Sequence, residues 1–190
     1  EAWVPWFALA DELVDAAWAH ADPRPGEAKL AWWMQELQGW STGARRHPLG
    51  RALPLGIPAW ASLAAALPAL GSARDGAMAA PLAAGLHPVA RALAEVDAAL
   101  LEGLHPPADA AAQWSAWLVA RRAGGLGGDA AAMRAAALAA WPLAQGDARA
   151  PAVWRSILRE RLRAGDALRP LPPWRALHGA WRAARNAPVH

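Results

Sequence analysis

The stretch DELVDAAWAHADPRPGEAKLAWWMQELQGW, residues 11–40, decides the fold class. It contains two segments with apolar residues at helical spacing, separated by the proline- and glycine-rich break ADPRPGE. The same pattern continues along the chain, where alanine and leucine dominate and no alternating run of β-branched residues occurs. The sequence therefore predicts an all-α protein.

Prolines and glycines divide the chain into successive helical segments. The glycine-rich stretch RRAGGLGGDA, residues 121–130, is interpreted as a break between two helices, and it lacks the Gly-Lys-Ser/Thr of a phosphate loop. A chain of 190 residues with 55% hydrophobic residues is sufficient for one domain over residues 1–190. The predicted helices cover residues 5–20, 27–42, 58–70, 88–101, 108–123, 130–144, 151–163 and 172–185, with a further short one starting near residue 47.

The charge pattern is dominated by arginine. Lys29 is the only lysine, the formal net charge is +3, and cysteine is absent, so disulfides and thiolate metal sites are excluded. Arginines concentrate near the carboxy terminus, where they suit nucleic acid, anionic lipid or simply solvent. We favour a solvated helix face and expect no nucleic-acid partner. These arginines are Arg155, Arg159, Arg161, Arg163, Arg169, Arg175, Arg182 and Arg185.

One apolar run bears on membrane insertion. PLGIPAWASLAAALPALGSA, residues 54–73, has three prolines and much alanine, so we interpret it as a buried helical segment and keep a membrane-surface role open. No charged and then apolar leader is visible at Glu1. We therefore expect a cytoplasmic protein, with peripheral membrane contact as the alternative, and some native sequence missing before Glu1. The sequence carries no signal for an oligomeric state.

Two carboxylates on the first predicted helix form the first candidate site. Asp11 and Asp15 are four residues apart, which places both on one side of a helix about 5–6 Å apart. Mg²⁺ takes one or two carboxylates together with substrate phosphates. Glu12 lies on the adjacent face. The pair is either half of a metal–diphosphate site or the acidic outer face of an amphipathic helix.

The second predicted helix places charged and aromatic residues on one side. Lys29, Trp33, Glu36 and Trp40 fall on successive turns, and Arg46 follows the end of the helix. A cation at one end and arginine at the other suit an anionic group that bridges to a metal held by the carboxylates. The same spacing also gives ordinary surface ion pairs, which contribute about 0–1 kcal/mol each.

The sequence lacks two other common functional arrangements. The histidines form no His-x3-His pair, and no serine lies in a nucleophile elbow.

The aromatic residues are almost all tryptophan. The chain contains 13 tryptophans and no tyrosine. Five tryptophans at helical spacing are interpreted as core or as pocket lining: Trp32, Trp33, Trp40, Trp114 and Trp117.

Residues 8–53 resemble the squalene/phytoene synthase family, the head-to-head prenyl transferases. The resemblance rests on the acidic motif DELVD at residues 11–15, on AKLAWWMQEL at residues 28–37 and on RHPLGRAL at residues 46–53. The ending RLRAGDALRPLPPWRALHGAWRAAR is similar to the tail of short bacterial members.

This resemblance implies an all-α isoprenoid-synthase-like bundle in which aspartates hold Mg²⁺ and a prenyl diphosphate. Asp11 and Asp15 would be the metal ligands. Lys29 and Arg46 would contact the diphosphate, and Trp33 and Glu36 lie on the same helix face as further substrate-binding candidates. No catalytic residue is assigned.

The sequence also departs from the family. Where a second aspartate-rich motif is expected, the chain reads AAALAAWPLAQGDARAPAVW, with a lone Asp147 and no Asp-x-x-x-Asp. Ionisation of a diphosphate needs charge neutralisation from both sides, so we expect a prenyl-transferase-like protein with degraded catalysis. The alternative is a non-catalytic helical scaffold, an assembly factor or a membrane-peripheral interaction protein.

Overall fold

The computed structural model describes residues 2–75, 78–100, 110–126, 129–141, 149–165 and 170–186. These residues form helices and turns without a β-strand among them, so the predicted all-α class is confirmed. Short 3₁₀ turns occur at Pro48–Arg51 and Ala73–Asp75. The α-helices are α1 (Trp3–Trp18), α2 (Pro23–Ser41), α3 (Ala59–Ala66), α4 (Pro68–Ser72), α5 (Ala79–Leu100), α6 (Ala110–Leu126), α7 (Ala130–Ala139), α8 (Arg149–Ala164) and α9 (Pro173–Asn186).

Helices α1 and α2 follow the sequence pattern closely. Helix α1 ends at Trp18, and α2 begins after Asp22, whose side chain accepts a hydrogen bond from the backbone N–H of Arg24. Pro23 occupies the first turn of α2, where its missing N–H costs nothing. The proline- and glycine-rich break therefore contains the N-cap and the first turn of α2 as well as a loop.

Several helix boundaries differ from the prediction, among them the start of α5 and the end of α6. Helix α5 passes through Pro88, whose exposed ring lies on the solvent side, so water can bind the carbonyl that loses its helical partner. Helix α6 continues through Gly124 and Gly125 to Leu126, although these glycines were interpreted as a break. A Cβ atom added at Gly125 would lie 3.0 Å from the backbone oxygen of Trp18. Gly125 is therefore a close-packing position between α6 and α1.

The core is built from tryptophans arranged edge to face. Trp33, Trp40, Trp60, Trp6 and Trp114 form a continuous series, with successive ring centroids 5.3–6.1 Å apart. This series connects α2, α3, α1 and α6, and edge-to-face geometry is favoured by the quadrupole of the rings. Of the five tryptophans interpreted as core or pocket lining, four are nearly fully buried in the core: Trp33, Trp40, Trp114 and Trp117. Trp32 is half-buried.

A buried carboxylate binds two of these indoles. Asp97 on α5 accepts hydrogen bonds from Nε1 of Trp6, at 2.6 Å, and from Nε1 of Trp114, at 2.7 Å. Nη2 of Arg155 on α8 lies 3.5 Å from the same carboxylate. Arg155 is only 4% exposed, so the prediction of a solvated arginine face is wrong for this residue.

One face of the apolar segment 54–73 packs into the core. Trp60, Leu63, Leu67 and Leu70 are each at most 1% exposed, whereas Ser62, Ala65 and Pro68 are exposed, so the predicted burial holds for one face of the segment. Among the described helices, none combines the length and apolar character that a membrane crossing needs.

Candidate functional site

The acidic face of α1 meets an arginine from α6. Asp11 and Asp15 have about half of their side-chain surface exposed, and Nη2 of Arg121 lies 2.6 Å from Oδ1 of Asp15 and 3.5 Å from Oδ1 of Asp11. The Arg121 side chain is only 10% exposed. A single guanidinium group, shielded from solvent, thus neutralises part of the charge of the carboxylate pair.

Close packing of α6 on α1 positions this guanidinium. Gly125 allows the backbone of α6 to approach Trp18 of α1, one helical turn after Arg121. The Arg121 guanidinium carbon also lies 5.7 Å from the centroid of the Trp117 ring, within cation–π range. The arginine is therefore supported by the aromatic core beneath it and directed at the carboxylates above it.

The electrostatics of the pair differ from those of an isolated carboxylate. Partial burial raises the pKa of Asp11 above its ordinary value, the Arg121 guanidinium opposes the rise, and the neighbouring Asp15 carboxylate adds to it. Arg161 on α8 also lowers the pKa of Asp11 electrostatically. Two helices, α6 and α8, thus contribute positive charge to the acidic face of α1.

Two arginine N–H groups near this face lack a hydrogen-bond acceptor within the described part of the chain. Nε of Arg121 and Nε of Arg161 are shielded from solvent and have no hydrogen-bond partner within the described part of the chain. A buried N–H without an acceptor costs about 1–3 kcal/mol. An anionic oxygen at either nitrogen would remove that cost.

Lys29 contacts α1 through Glu12, which lies on the face next to the carboxylate pair. Its Nζ is 2.7 Å from Oε1 of Glu12, and both side chains are partly exposed. The ammonium group of Lys29 is thus bound to Glu12 in this structure, and contact between Lys29 and a diphosphate stays a prediction.

Glu36 holds the connection that follows α2. Its Oε1 accepts hydrogen bonds from the backbone N–H groups of Arg46, at 2.6 Å, and His47, at 2.8 Å, and from Nε1 of Trp40, at 2.8 Å. Its Oε2 accepts from Nε of Arg46 at 2.9 Å. Burial alone would raise the pKa of Glu36, but these donors outweigh it and lower the pKa to about 2.

Glu36 and Arg46 therefore lie together, and in this structure they bind each other. The Glu36 side chain is 1% exposed, whereas that of Arg46 is 59% exposed. The guanidinium carbon of Arg46 also lies 5.6 Å from the centroid of the Trp32 ring. Substrate binding by either residue stays a prediction. Arg46 retains an accessible surface for an anion, and Glu36 would first have to release the connection.

Trp33 belongs to the core. It is 1% exposed, and its ring centroid lies 4.7 Å from that of His47 and 6.1 Å from that of Trp40. Its Nε1 is buried without a hydrogen-bond partner in the described structure. Contact between Trp33 and substrate stays a prediction.

The donor set at Asp11 and Asp15 suits one Mg²⁺ ion that shares its coordination with a diphosphate. Both carboxylates are accessible from solvent, and Mg²⁺ commonly binds through one or two carboxylates and completes its shell with phosphate oxygens and water. The described residues contain no group of three or more His, Cys, Asp or Glu side chains placed to hold a metal ion. A Mg²⁺ ion at this pair would therefore take most of its ligands from water or a bound anion, and metal binding there stays a prediction. Asp147, in the segment where a second acidic motif was sought, lies outside the described residues.

Two buried charged residues were missed from the sequence, Arg121 of this site and Asp97 of the core. They lie in the helical segments LVARRAGG and ALAEVDAAL, which also contain Arg122 and Glu95. Charged residues are rarely buried unless they are paired. The segments therefore identify neither which charged residue is buried nor its partner.

No protein-family model, no curated protein and no solved structure matches this chain.

Proposed function

We propose that this protein binds a prenyl diphosphate together with Mg²⁺ on a helical scaffold of the squalene/phytoene synthase type, with weak or no prenyl transfer. The observation that carries the proposal is the apposition of two accessible carboxylates, Asp11 and Asp15, to the shielded guanidinium of Arg121. The sequence resemblance over residues 8–53 supplies the chemical class of the ligand.

A site of this kind needs both signs of charge. Asp11 and Asp15 would hold Mg²⁺, which supplies neutralisation of diphosphate charge when bound. Arg121, relieved of its carboxylate partners, would then neutralise diphosphate oxygens, and its unsatisfied Nε would gain an acceptor. Arg161 would add positive charge from α8. Degraded catalysis follows from the sequence, which lacks a second Asp-x-x-x-Asp motif where one is expected.

A second candidate function is a non-catalytic helical scaffold. The same contact supports it, because an ion pair between α1 and α6 serves to hold the bundle without any ligand. On this view, Arg121 is the permanent counter-ion of Asp15, and Mg²⁺ has no site.

Thermal unfolding with Mg²⁺ and farnesyl diphosphate, each alone and then together, tests the proposal. A ligand at about a hundredfold its dissociation constant adds about 2.7 kcal/mol of stability. For a chain of this size that corresponds to a rise in Tm of roughly 5–10 °C. We expect this rise only when both components are present. An unchanged Tm with both components would favour the scaffold.

A further inference from the structure

Helix α9 packs on the protein through its small residues. Gly179 is buried, and its carbonyl accepts a hydrogen bond from Oγ of Ser156 on α8 at 3.2 Å. A Cβ added at Gly179 would lie 3.4 Å from Oγ of Ser156. The alanines on the same side of α9, Ala176, Ala180 and Ala183, are half-buried. The face of α9 that contacts α8 therefore lacks any large apolar side chain.

The large apolar side chains of α9 point to solvent instead. Trp174, Leu177 and Trp181 are 67%, 70% and 56% exposed, respectively. Their spacing of three and then four residues places them in one stripe along the helix. Ordinary folding buries such a stripe against the core. Here it is outward, and none of the helices that the structure describes covers this apolar face of α9.

Positive charge flanks this stripe. Arg175, Arg182 and Arg185 are exposed, and α9 contains no acidic residue. The guanidinium carbon of Arg175 lies 5.3 Å from the centroid of the Trp174 ring, and that of Arg185 lies 4.4 Å from the centroid of the Trp181 ring. The cations are thus held next to the tryptophans.

We propose that the outward face of α9, defined by Trp174, Leu177 and Trp181 with its flanking arginines, binds the surface of an anionic lipid bilayer. Tryptophan prefers the boundary between headgroups and acyl chains, and arginine beside it contacts anionic headgroups. The stripe is convex, because it lies on a single helix. A bilayer deforms around such a surface, whereas a protein partner would need a matching groove. Helix α9 would lie in the plane of the membrane interface. Because α9 packs on α8, it would attach the rest of the protein to the membrane surface.

Vesicle sedimentation with the full chain tests this inference, with one set of vesicles of phosphatidylcholine and another containing about one third phosphatidylglycerol. The wild type is expected to bind the anionic vesicles and to lose affinity as salt increases, because surface charges are screened. Trp174→Ala/Leu177→Ala/Trp181→Ala is expected to reduce binding by about tenfold or more. Arg182→Gln/Arg185→Gln is expected to reduce binding to the anionic vesicles by about fivefold per arginine.

The control variant is Met78→Ala, which removes another exposed apolar side chain away from α9 and is expected to bind as the wild type does. Because the substituted side chains are exposed, circular dichroism and Tm should be unchanged in all variants. Absence of vesicle binding at low salt would overturn the proposal. A second result would also overturn it: the wild type forms a concentration-dependent dimer, the triple substitution abolishes that dimer, and neither protein binds vesicles. The stripe would then be a protein interface.

Discussion

The guanidinium of Arg121 lies 2.6 Å from the carboxylate of Asp15, across 106 residues of sequence. This contact joins α6 to α1 at the acidic motif. It also gives that motif a counter-ion from the protein itself. The behaviour of the site therefore depends on whether a metal competes with Arg121 for the carboxylates.

Replacement of Arg121 by glutamine should change the response to Mg²⁺. Without the guanidinium, Asp11 and Asp15 repel each other across one helical turn, and a divalent cation becomes their best counter-ion. We expect Arg121→Gln to lower Tm and Mg²⁺ alone to restore part of the loss. The measurement is thermal unfolding with MgCl₂ against NaCl at equal ionic strength. Equal Tm values in the two salts would contradict a metal site at these residues.

The Glu36 cluster should control stability in acid. A group whose folded pKa is depressed stabilises the fold above its unfolded pKa and loses that contribution as pH falls. For Glu36, the loss should begin below the ordinary value of 4.5 and continue towards about 2. Because the side chain is almost fully buried, the contribution is on the order of 3 kcal/mol.

Urea unfolding of Glu36→Gln between pH 6 and pH 2 measures this effect. The variant should be less stable at pH 6, and its stability should fall less steeply than that of the wild type as the solution is acidified. Glu95→Gln, on an exposed ion pair of α5, serves as the matched control and should follow the wild-type curve. Parallel curves for Glu36→Gln and the wild type would contradict the strong depression of the Glu36 pKa.

The buried carboxylate of Asp97 should be more important for stability than its arginine neighbour. Asp97→Ala leaves the indole N–H groups of Trp6 and Trp114 without their acceptor and removes negative charge beside Arg155. Loss of one member of a buried charged pair costs about 3–5 kcal/mol. Arg155→Met should cost less, because Asp97 retains both indole donors. Denaturant unfolding compares the two, and a larger cost for Arg155→Met would refute this ranking.

The crossing of α1 and α2 should exclude any side chain at Gly26. A Cβ added there would clash with the backbone oxygen of Ala16. Gly26→Ala should therefore destabilise the protein by about 1–3 kcal/mol through overpacking, although alanine favours helices. Gly85→Ala in α5 is the matched control, since its Cβ would meet open space. It should stabilise by about 0.5–1 kcal/mol. Similar effects of both substitutions in urea unfolding would contradict this account of the crossing.

Local sequence patterns predicted the helices well but did not predict the side-chain contacts between different helices. Helical spacing places Asp11 and Asp15 on one face, and this holds in the structure. The same spacing gives no information about Arg121, because its approach depends on the packing of α6 on α1. The glycines after Arg121 are ambiguous for the same reason, since glycine is favoured both in a loop and at a close approach between helices.

The proline and arginine patterns were ambiguous in a similar way. Proline commonly marks the start of a helix, which is why Pro88 predicts one. An exposed proline inside a helix is nevertheless tolerated where water reaches the freed carbonyl. Arg155 shares its spacing with exposed arginines, and only the position of Asp97 on a neighbouring helix explains its burial. In each case the missing information was tertiary.

The most direct test of the proposed function is a calorimetric titration of farnesyl diphosphate into the protein in the presence of Mg²⁺. We expect wild-type protein and Glu95→Gln to bind, and Asp11→Asn/Asp15→Asn to lose binding by about a hundredfold while it stays folded. Addition of EDTA should abolish binding to the wild type. Equal affinity of the wild type and the double variant, or no binding of farnesyl diphosphate by either, would contradict a diphosphate site at Asp11 and Asp15.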